Sequence, residues 1–530
     1  MNRSALLARL CEPFDVLVIG GGATGLGAAL DAVTRGFSTA LVEAADFATA
    51  TSSRSTKLVH GGVRYLQNGD VGLVREALRE RARMLRNAPH LVHDLRFVLP
   101  TYRALDVPFY FAGLKAYDLL ASGSGFGSSG YIGPQETLRR MPALRTGGLR
   151  GAIAYHDGQF DDSRLALALA RSAIDRGAVV CNYARSERLL YENDRVAGAL
   201  VRDVETGAVF DVRARTVLNA TGIFVDELRA QDAPSAPKLL EHSRGTHVVF
   251  SRDHFPGTDA LIVPKTDDGR VLFAIPWHDH VVVGTTDVEM RGAELEPAPP
   301  RDEVDYIVEH FNRYLERPVR REDALASFAG IRPLVNRKNV GTAKLSREHI
   351  VETSPRGLVS ITGGKWTTYR KMGEDAVDAL VRAGGLADVT SATADLRLRG
   401  TPDANTERAI DGRYAIYGSD ARALLELERE DPSLVQPLDA RLAVTGAQVV
   451  YAVREEGARS VDDVLSRRTR AAFLDGVAAL AMAPAVARLL ARELGRDETW
   501  IASQLAAFAA VVEPTLEPLG LGRDAPHVLA

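Results

Sequence analysis

The chain has 530 residues, a formal net charge of −4 and ordinary apolar and charged fractions. These values bound it to two or three globular domains with an ample core and give no sign of a nucleic-acid partner. Its two cysteines, Cys11 and Cys181, lack C-x-x-C spacing, which argues against a disulfide framework or a zinc site and for a reducing compartment; no other metal site is expected.

The N-terminal stretch Met1–Leu10 is too short and too charged for a signal peptide. No run of 18 apolar residues occurs, so no transmembrane helix is expected, and the sequence reads as cytoplasmic. The first strong element is the strand Asp15-Val16-Leu17-Val18-Ile19, which enters Gly20-Gly21-Gly22-Ala23-Thr24-Gly25 and a helix pattern; a second strand closes on Glu43. Glycines 20, 22 and 25 fit G-x-G-x-x-G in strand–turn–helix context, and Glu43 lies 18 residues past Gly25, near where an acidic residue binds a ribose hydroxyl. Such a turn offers backbone amides at a helix N-terminus to a pyrophosphate.

A polar loop, Thr49 to Gly62, precedes an amphipathic helix pattern over 72–87. The aromatic-rich stretch Val107–Leu120 has two readings, a membrane-surface patch or a helix buried against the core. Residues 121–133 read as a glycine-rich loop and 161–176 as a helix. Strands then run to Asn219-Ala220-Thr221-Gly222, and alternating strands dominate 245–288. A last strand, Gly357–Thr362, enters Gly363-Gly364 and a helix over about 367–383. Beyond Gly400-Thr401-Pro402 the texture becomes Ala-, Leu- and Arg-rich with helical spacing, which predicts a separate helical domain over 400–530.

The expected fold is therefore α/β: a discontinuous Rossmann-like nucleotide-binding domain, an inserted antiparallel-sheet substrate domain, and an all-α C-terminal domain. Within 12–395, the nucleotide-binding parts are placed at about 12–85, 150–235 and 340–385, and the substrate domain at about 86–149 and 236–339. The late return of a strand–Gly–helix turn favours FAD over NAD, because NAD dehydrogenases usually complete their site in one continuous lobe.

These motifs resemble the FAD-dependent glycerol-3-phosphate dehydrogenases of the D-amino-acid-oxidase-like flavoprotein superfamily. The matching pieces are Ile19–Gly25, Thr51–Leu66, Asn219–Gly222, Ile275-Pro276-Trp277, Gly284–Asp287, Gly330–Leu334 and Gly363–Arg370, in the family's order over 12–385. The Thr51–Leu66 loop and the Gly363–Arg370 turn are the specific ones; the glycine fingerprint is shared by many flavoproteins. Ser460–Arg470 matches in the helical region. The 105–130 segment is modest and glycine-rich where many members carry longer, more cationic docking segments.

The resemblance implies oxidation of sn-glycerol 3-phosphate to dihydroxyacetone phosphate, with FAD as cofactor and a membrane quinone as acceptor. It places the protein on the inner face of the plasma membrane as a peripheral protein and leaves room for a homo-oligomer. A dianionic phosphate calls for guanidinium or ammonium donors. By resemblance these are Arg64, Arg332, Arg347 and Lys365, with Tyr65 alongside. His247, on a strand that faces the site in the family's topology, is the candidate proton acceptor, with Lys365 or a water as the alternatives. The cofactor side comprises Gly20, Gly22, Thr24, Gly25, Glu43, Thr51, Ser52, Ser53, Lys57, His60, Gly62, Gly222, Gly364, Lys365 and Thr367. Gly284–Asp287 carries no chemical role at this level. Three alternatives stay open: an oxidase handing electrons to O₂, a flavin oxidase of an amino or hydroxy acid, and a flavin-holding scaffold without turnover.

Overall fold

A computed structural model of the protein describes residues 3–62, 70–103, 106–120, 126–264, 266–267, 269–336, 349–402 and 412–522. Arg64, Tyr65 and Arg347 lie outside these residues.

Among the described residues the first sheet has eight strands. Its centre is Phe14–Ile19, continuously apolar from Val16 on and flanked on both sides by parallel neighbours, Thr39–Val42 and the second half of Val209–Asn219. Strands buried on both faces read this way because helices cover the sheet. Val179–Cys181 extends one edge in parallel; Val359–Gly363 extends the other, followed by the antiparallel His349–Thr353. The chain leaves Phe14–Ile19 toward one side and returns on the other, so the crevice at the carboxyl ends of these strands lies at Gly20 and Gly222, the usual place for a ligand in such sheets. The helices Ala23–Thr34 and Tyr369–Gly384 pack closely there. A Cβ at Gly373 would come within 2.7 Å of the Gly27 carbonyl carbon, so bulk at either glycine would separate them.

The second sheet has ten described strands. It is antiparallel except where Ala260–Val263 runs parallel to Val92–Pro100. Its functional edge is Leu240–Ser251 paired with both His280–Gly284 and Ala324–Val335. Its membership departs from the expected division. Ala152–Phe160 pairs along its whole length with Val92–Pro100, and Leu58–Val59 pairs with Gln159 and Gly158, so both belong to this sheet. The return to the first sheet begins at the helix Asp162–Ile174, capped by the Asp161 carboxylate on the Arg164 amide. Strand periodicity reports one buried face, not which sheet supplies the partner.

The C-terminal region is helical apart from a two-stranded hairpin, Pro437–Asp439 with Leu442–Thr445. The helix Gly446–Glu456 opens on a Thr445/Gln448 capping box and stops at left-handed Gly457. This region has small clusters of its own, such as Leu434, Ala447 and Val450, but shares its largest one. Phe473, Ala479, Met482, Val486, Phe508 and Leu516 share one hydrophobic cluster with Val248, Phe250, Ala326 and Phe328 of the second sheet. A composition shift marks a change of element type, and here the apolar face it creates is closed by a neighbouring sheet. The Asp106–Leu120 helix buries Leu114 and Tyr117, while Leu119 is 77% exposed. Its inner face is thus a packed one.

Candidate active site

The first cradle is the Gly20–Gly25 turn. Gly20 has φ +114°, and a Cβ on Gly25 would lie 1.9 Å from the Gly20 carbonyl oxygen; both positions demand glycine, the first for conformation and the second for close helix–strand approach. The helix Ala23–Thr34 has neither a side-chain cap nor an acidic residue in its first turn, so its N-terminal dipole is offered outward. Gly22, Ala23 and Thr24 are half-buried while the strand before them is buried. Glu43 stands beside this turn, its carboxylate accepting from the Gly21 amide at 2.6 Å and the Ala45 amide at 2.9 Å. Burial raises its pKa above the usual 4.5.

The loop after the second strand arrives from above. Of its three consecutive hydroxyls, two are committed elsewhere. Thr51 Oγ1 donates to the Ile331 carbonyl at 2.7 Å, and Ser53 is buried with its hydroxyl against the Thr49 and Ala50 carbonyls. Ser52 Oγ faces the cradle and accepts from the Ala23 amide at 3.0 Å. The second glycine turn closes on the same residue: Trp366 Nε1 donates to the Ser52 carbonyl at 2.9 Å. Thr367 Oγ1 donates to the His60 carbonyl at 3.3 Å, which joins that turn to His60 and Gly62. Gly222, Gly364 and Lys365 are half-buried around the same crevice. The half-buried seam Gly22–Thr24, Glu43–Ala45, Thr51–Ser52, Thr221–Gly222 and Gly363–Trp366, at the ends of buried strands, is the right chemistry for a dinucleotide: helix-terminal amides, a carboxylate, one hydroxyl and close-approach glycines.

Lys57 departs from its expected place at the cofactor. Its side chain is fully buried, and its ammonium donates to the Ser53 carbonyl and to Asp162 Oδ2, both at 2.7 Å, among the rings of Trp277, Phe328 and Phe473. Burial pushes its pKa down to about 7, against the pull of Asp162.

On the second sheet, the register places Ser243 opposite Arg332 and His247 opposite both Phe328 and Gly284. Arg332 is gripped by the segment that had no role in the sequence. Nη2 donates to Thr285 Oγ1 at 3.0 Å, Nη1 to the Thr286 carbonyl at 3.1 Å, and Asp287 Oδ1 lies 3.4 Å away. A Cβ on Gly245 would lie 2.2 Å from Arg332 Nη2, so the guanidinium lies flat across that glycine. Glu303 holds the supporting strands from below by accepting from Thr246 Oγ1 and Thr286 Oγ1, each at 2.6 Å.

His247 is 2% exposed and stacks on Phe328 at 4.7 Å. Nε2 pairs with Thr56 Oγ1 at 3.0 Å, and Nδ1 has no partner among the described residues. Burial holds the ring well below its usual 6.5, and the nearby positive charges of Arg332 and Lys57 add to this. The imidazole is therefore neutral at physiological pH. Thr56, Trp366 and Thr285–Asp287 are the functional contacts that sequence reading missed. Only their place inside matched motifs signalled them.

Comparison with known proteins shows the family. Residues 15–370 match the family model described as FAD dependent oxidoreductase, and 372–500 match the C-terminal domain of alpha-glycerophosphate oxidase. The mitochondrial glycerol-3-phosphate dehydrogenase of Homo sapiens is 41% identical over 94% of this chain and 73% of its own length. That of Arabidopsis thaliana is 40% identical over 94% and 86%. The crystal structure of the glycerol-3-phosphate dehydrogenase from Bacillus halodurans, complexed with FAD, superposes with a TM-score of 0.80 at 30% identity, covering 98% of each chain. The chain belongs to the FAD-dependent oxidoreductase family, among its glycerol-3-phosphate dehydrogenases.

Proposed function

We propose that this enzyme oxidises sn-glycerol 3-phosphate to dihydroxyacetone phosphate and passes the electrons to a membrane quinone. The observation that carries the reading is the pairing, on adjacent strands, of a buried neutral imidazole with a guanidinium held flat at the crevice (His247 and Arg332). A secondary alcohol bearing a phosphate needs both, a proton acceptor at C2 and a cation for the dianion.

FAD, when bound, supplies the two-electron acceptor for the C2 hydride. Every other requirement falls to the chain. Gly20, Gly22, Thr24 and Gly25 would hold the pyrophosphate, Glu43 the ribose, and Ser52 the adjoining chain; Gly222, Gly364 and Thr367 line the other end. Lys365 brings positive charge to that end. Arg332 orients the phosphate, joined by Arg64, Tyr65 and Arg347. His247 receives the C2 hydroxyl proton at Nδ1, while its Nε2 is hydrogen-bonded to Thr56 Oγ1, which orients the ring.

No helix of the described residues is long and apolar enough to cross a membrane. Access to a quinone would therefore be from the membrane surface, and exposed Leu119 at the end of the Asp106–Leu120 helix supports contact there. The test is an anaerobic absorbance spectrum of the purified protein before and after addition of glycerol 3-phosphate. The flavin band bleaches if the reading is right and persists if the substrate is another acid or alcohol. Slow reoxidation in air with fast reoxidation by a soluble quinone supports the acceptor; rapid reoxidation in air makes the enzyme an oxidase.

A further inference from the structure

The helical region reaches the Thr51–Lys57 loop from behind, and Arg470 is its polar contact there. Arg470 follows the π-helical turn Asp463–Arg468 and sits in the left-handed region at φ +64°, a conformation unfavourable for a branched-head residue outside glycine. It is 1% exposed. Its Nη2 donates to the Ser53 carbonyl at 2.8 Å and to Asp162 Oδ1 at 3.0 Å, and its guanidinium lies over Phe473 and Trp277. The Ser53 carbonyl thereby takes two cationic donors, Arg470 and Lys57.

Burial at an interface does not by itself call for this arrangement. Buried ion pairs are often matched or exceeded by apolar packing of similar volume, and the surrounding cluster is already apolar. What Arg470 does fix is the middle of a loop whose other residues touch each part of the site. Thr51 binds the Ile331 carbonyl beside Arg332, Ser52 joins the Ala23 amide to Trp366, and Thr56 holds His247.

We propose that Arg470 is a positioning residue for the flavin: from the helical region it sets the Thr51–Thr56 loop so that Ser52 meets the cofactor cradle. The inference rests on the flavin site and not on the substrate assigned above, and its readout needs no substrate.

The test follows FAD release from the diluted holoenzyme by flavin fluorescence, with visible circular dichroism of the bound flavin, for Arg470→Met and Arg470→Lys. A control breaks another contact between the helical region and the first sheet's domain: Arg459→Met removes the bidentate pair of Arg459 with Glu205, at 2.5 and 2.7 Å, away from the loop. The expected order of release is methionine, lysine, wild type, with methionine roughly tenfold faster than wild type or more. The flavin dichroism should change with it, and Arg459→Met should release at the wild-type rate. Wild-type release from Arg470→Met overturns the proposal, as does equal acceleration by Arg459→Met, which would make Arg470 one interface contact among many. Should the methionine variant fail to accumulate, the lysine variant decides by the same comparison, since it retains the charge but not the two-acceptor reach.

Discussion

Replacing Arg332 by alanine tests the site most directly. The guanidinium is held by Thr285, Thr286 and Asp287 and is 22% exposed. Its loss should therefore cost the fold little, below about 1 kcal/mol for a partly exposed pair. Its loss to the substrate is larger. A hydrogen bond to a charged group contributes about 1.5–3 kcal/mol, which converts to roughly 10- to 150-fold in kcat/KM. The upper end is expected, because Asp287 would then face the phosphate without its counter-charge. The phosphate is bound alike in ground and transition states, so most of the change should appear in KM. A second readout follows from electrostatics. Arg332 is one of two cations that help hold His247 below 6.5, so the acid limb of kcat/KM should move up in pH in the variant. Steady-state kinetics over a pH series on FAD-replete enzyme measures both. A kcat/KM within twofold of wild type, with an unmoved acid limb, would refute the phosphate assignment and the proximity argument together.

Lys365→Ala should slow flavin reduction at saturating substrate by roughly a hundredfold, the scale of losing a positioned charge; an unchanged stopped-flow rate removes it from the mechanism. Thr56→Val should lower kcat about fivefold to tenfold with KM nearly constant, since one hydrogen bond orienting the His247 ring is lost; equal kcat values would remove Thr56 from the positioning of His247. Burial keeps His247 neutral in the native state below the pH at which the unfolded chain protonates it. The unfolded state then binds more protons, so stability falls as pH drops below 6.5, by at most about 1.4 kcal/mol per pH unit for this group. Urea midpoints between pH 7.5 and 5 should fall less steeply in His247→Gln, and parallel slopes would contradict this. Asp162→Asn strips the carboxylate shared by Lys57 and Arg470 and should cost about 3–5 kcal/mol; a loss under 1 kcal/mol by denaturation would mean the two cations find other partners.

The parts of this fold that sequence discloses are those set by local rules. The Gly20–Gly25 turn is legible because a strand, three glycines and a helix lie within one short stretch. The strand–glycine–helix turn at Gly363–Gly364 is legible for the same reason. Arg332 and His247 could be nominated by motif, but their juxtaposition follows from the pairing of Leu240–Ser251 with two strands at once, a register no periodicity reveals. The same applies to Thr285–Asp287, whose task is to bracket an arginine from a distant strand. Lys57 misleads for a different reason. It lies in a matched motif whose Ser52 faces the crevice, but at φ +62° its side chain is buried against Asp162. The helical region reads as helical from its spacing, but which surface covers its apolar face does not, because a hydrophobic face does not name the surface that will cover it.

The contrast between the two specific motifs and the generic one has a physical origin in this structure. A G-x-G-x-x-G turn answers to one demand, close backbone approach to a pyrophosphate, and any dinucleotide fold can impose it. The Thr51–Lys57 loop answers to many at once. Thr51 must reach the Ile331 carbonyl, Ser52 the helix N-terminus, Ser55 and Lys57 the buried Asp162, and Thr56 the ring of His247. Arg54 adds an ion pair with Glu296 and lies over Phe473. These contacts are spread over several elements, drawn from both sheets and the helical region. Substituting one therefore perturbs a contact the others cannot replace, and a stretch bound on so many sides carries the signature of its particular site.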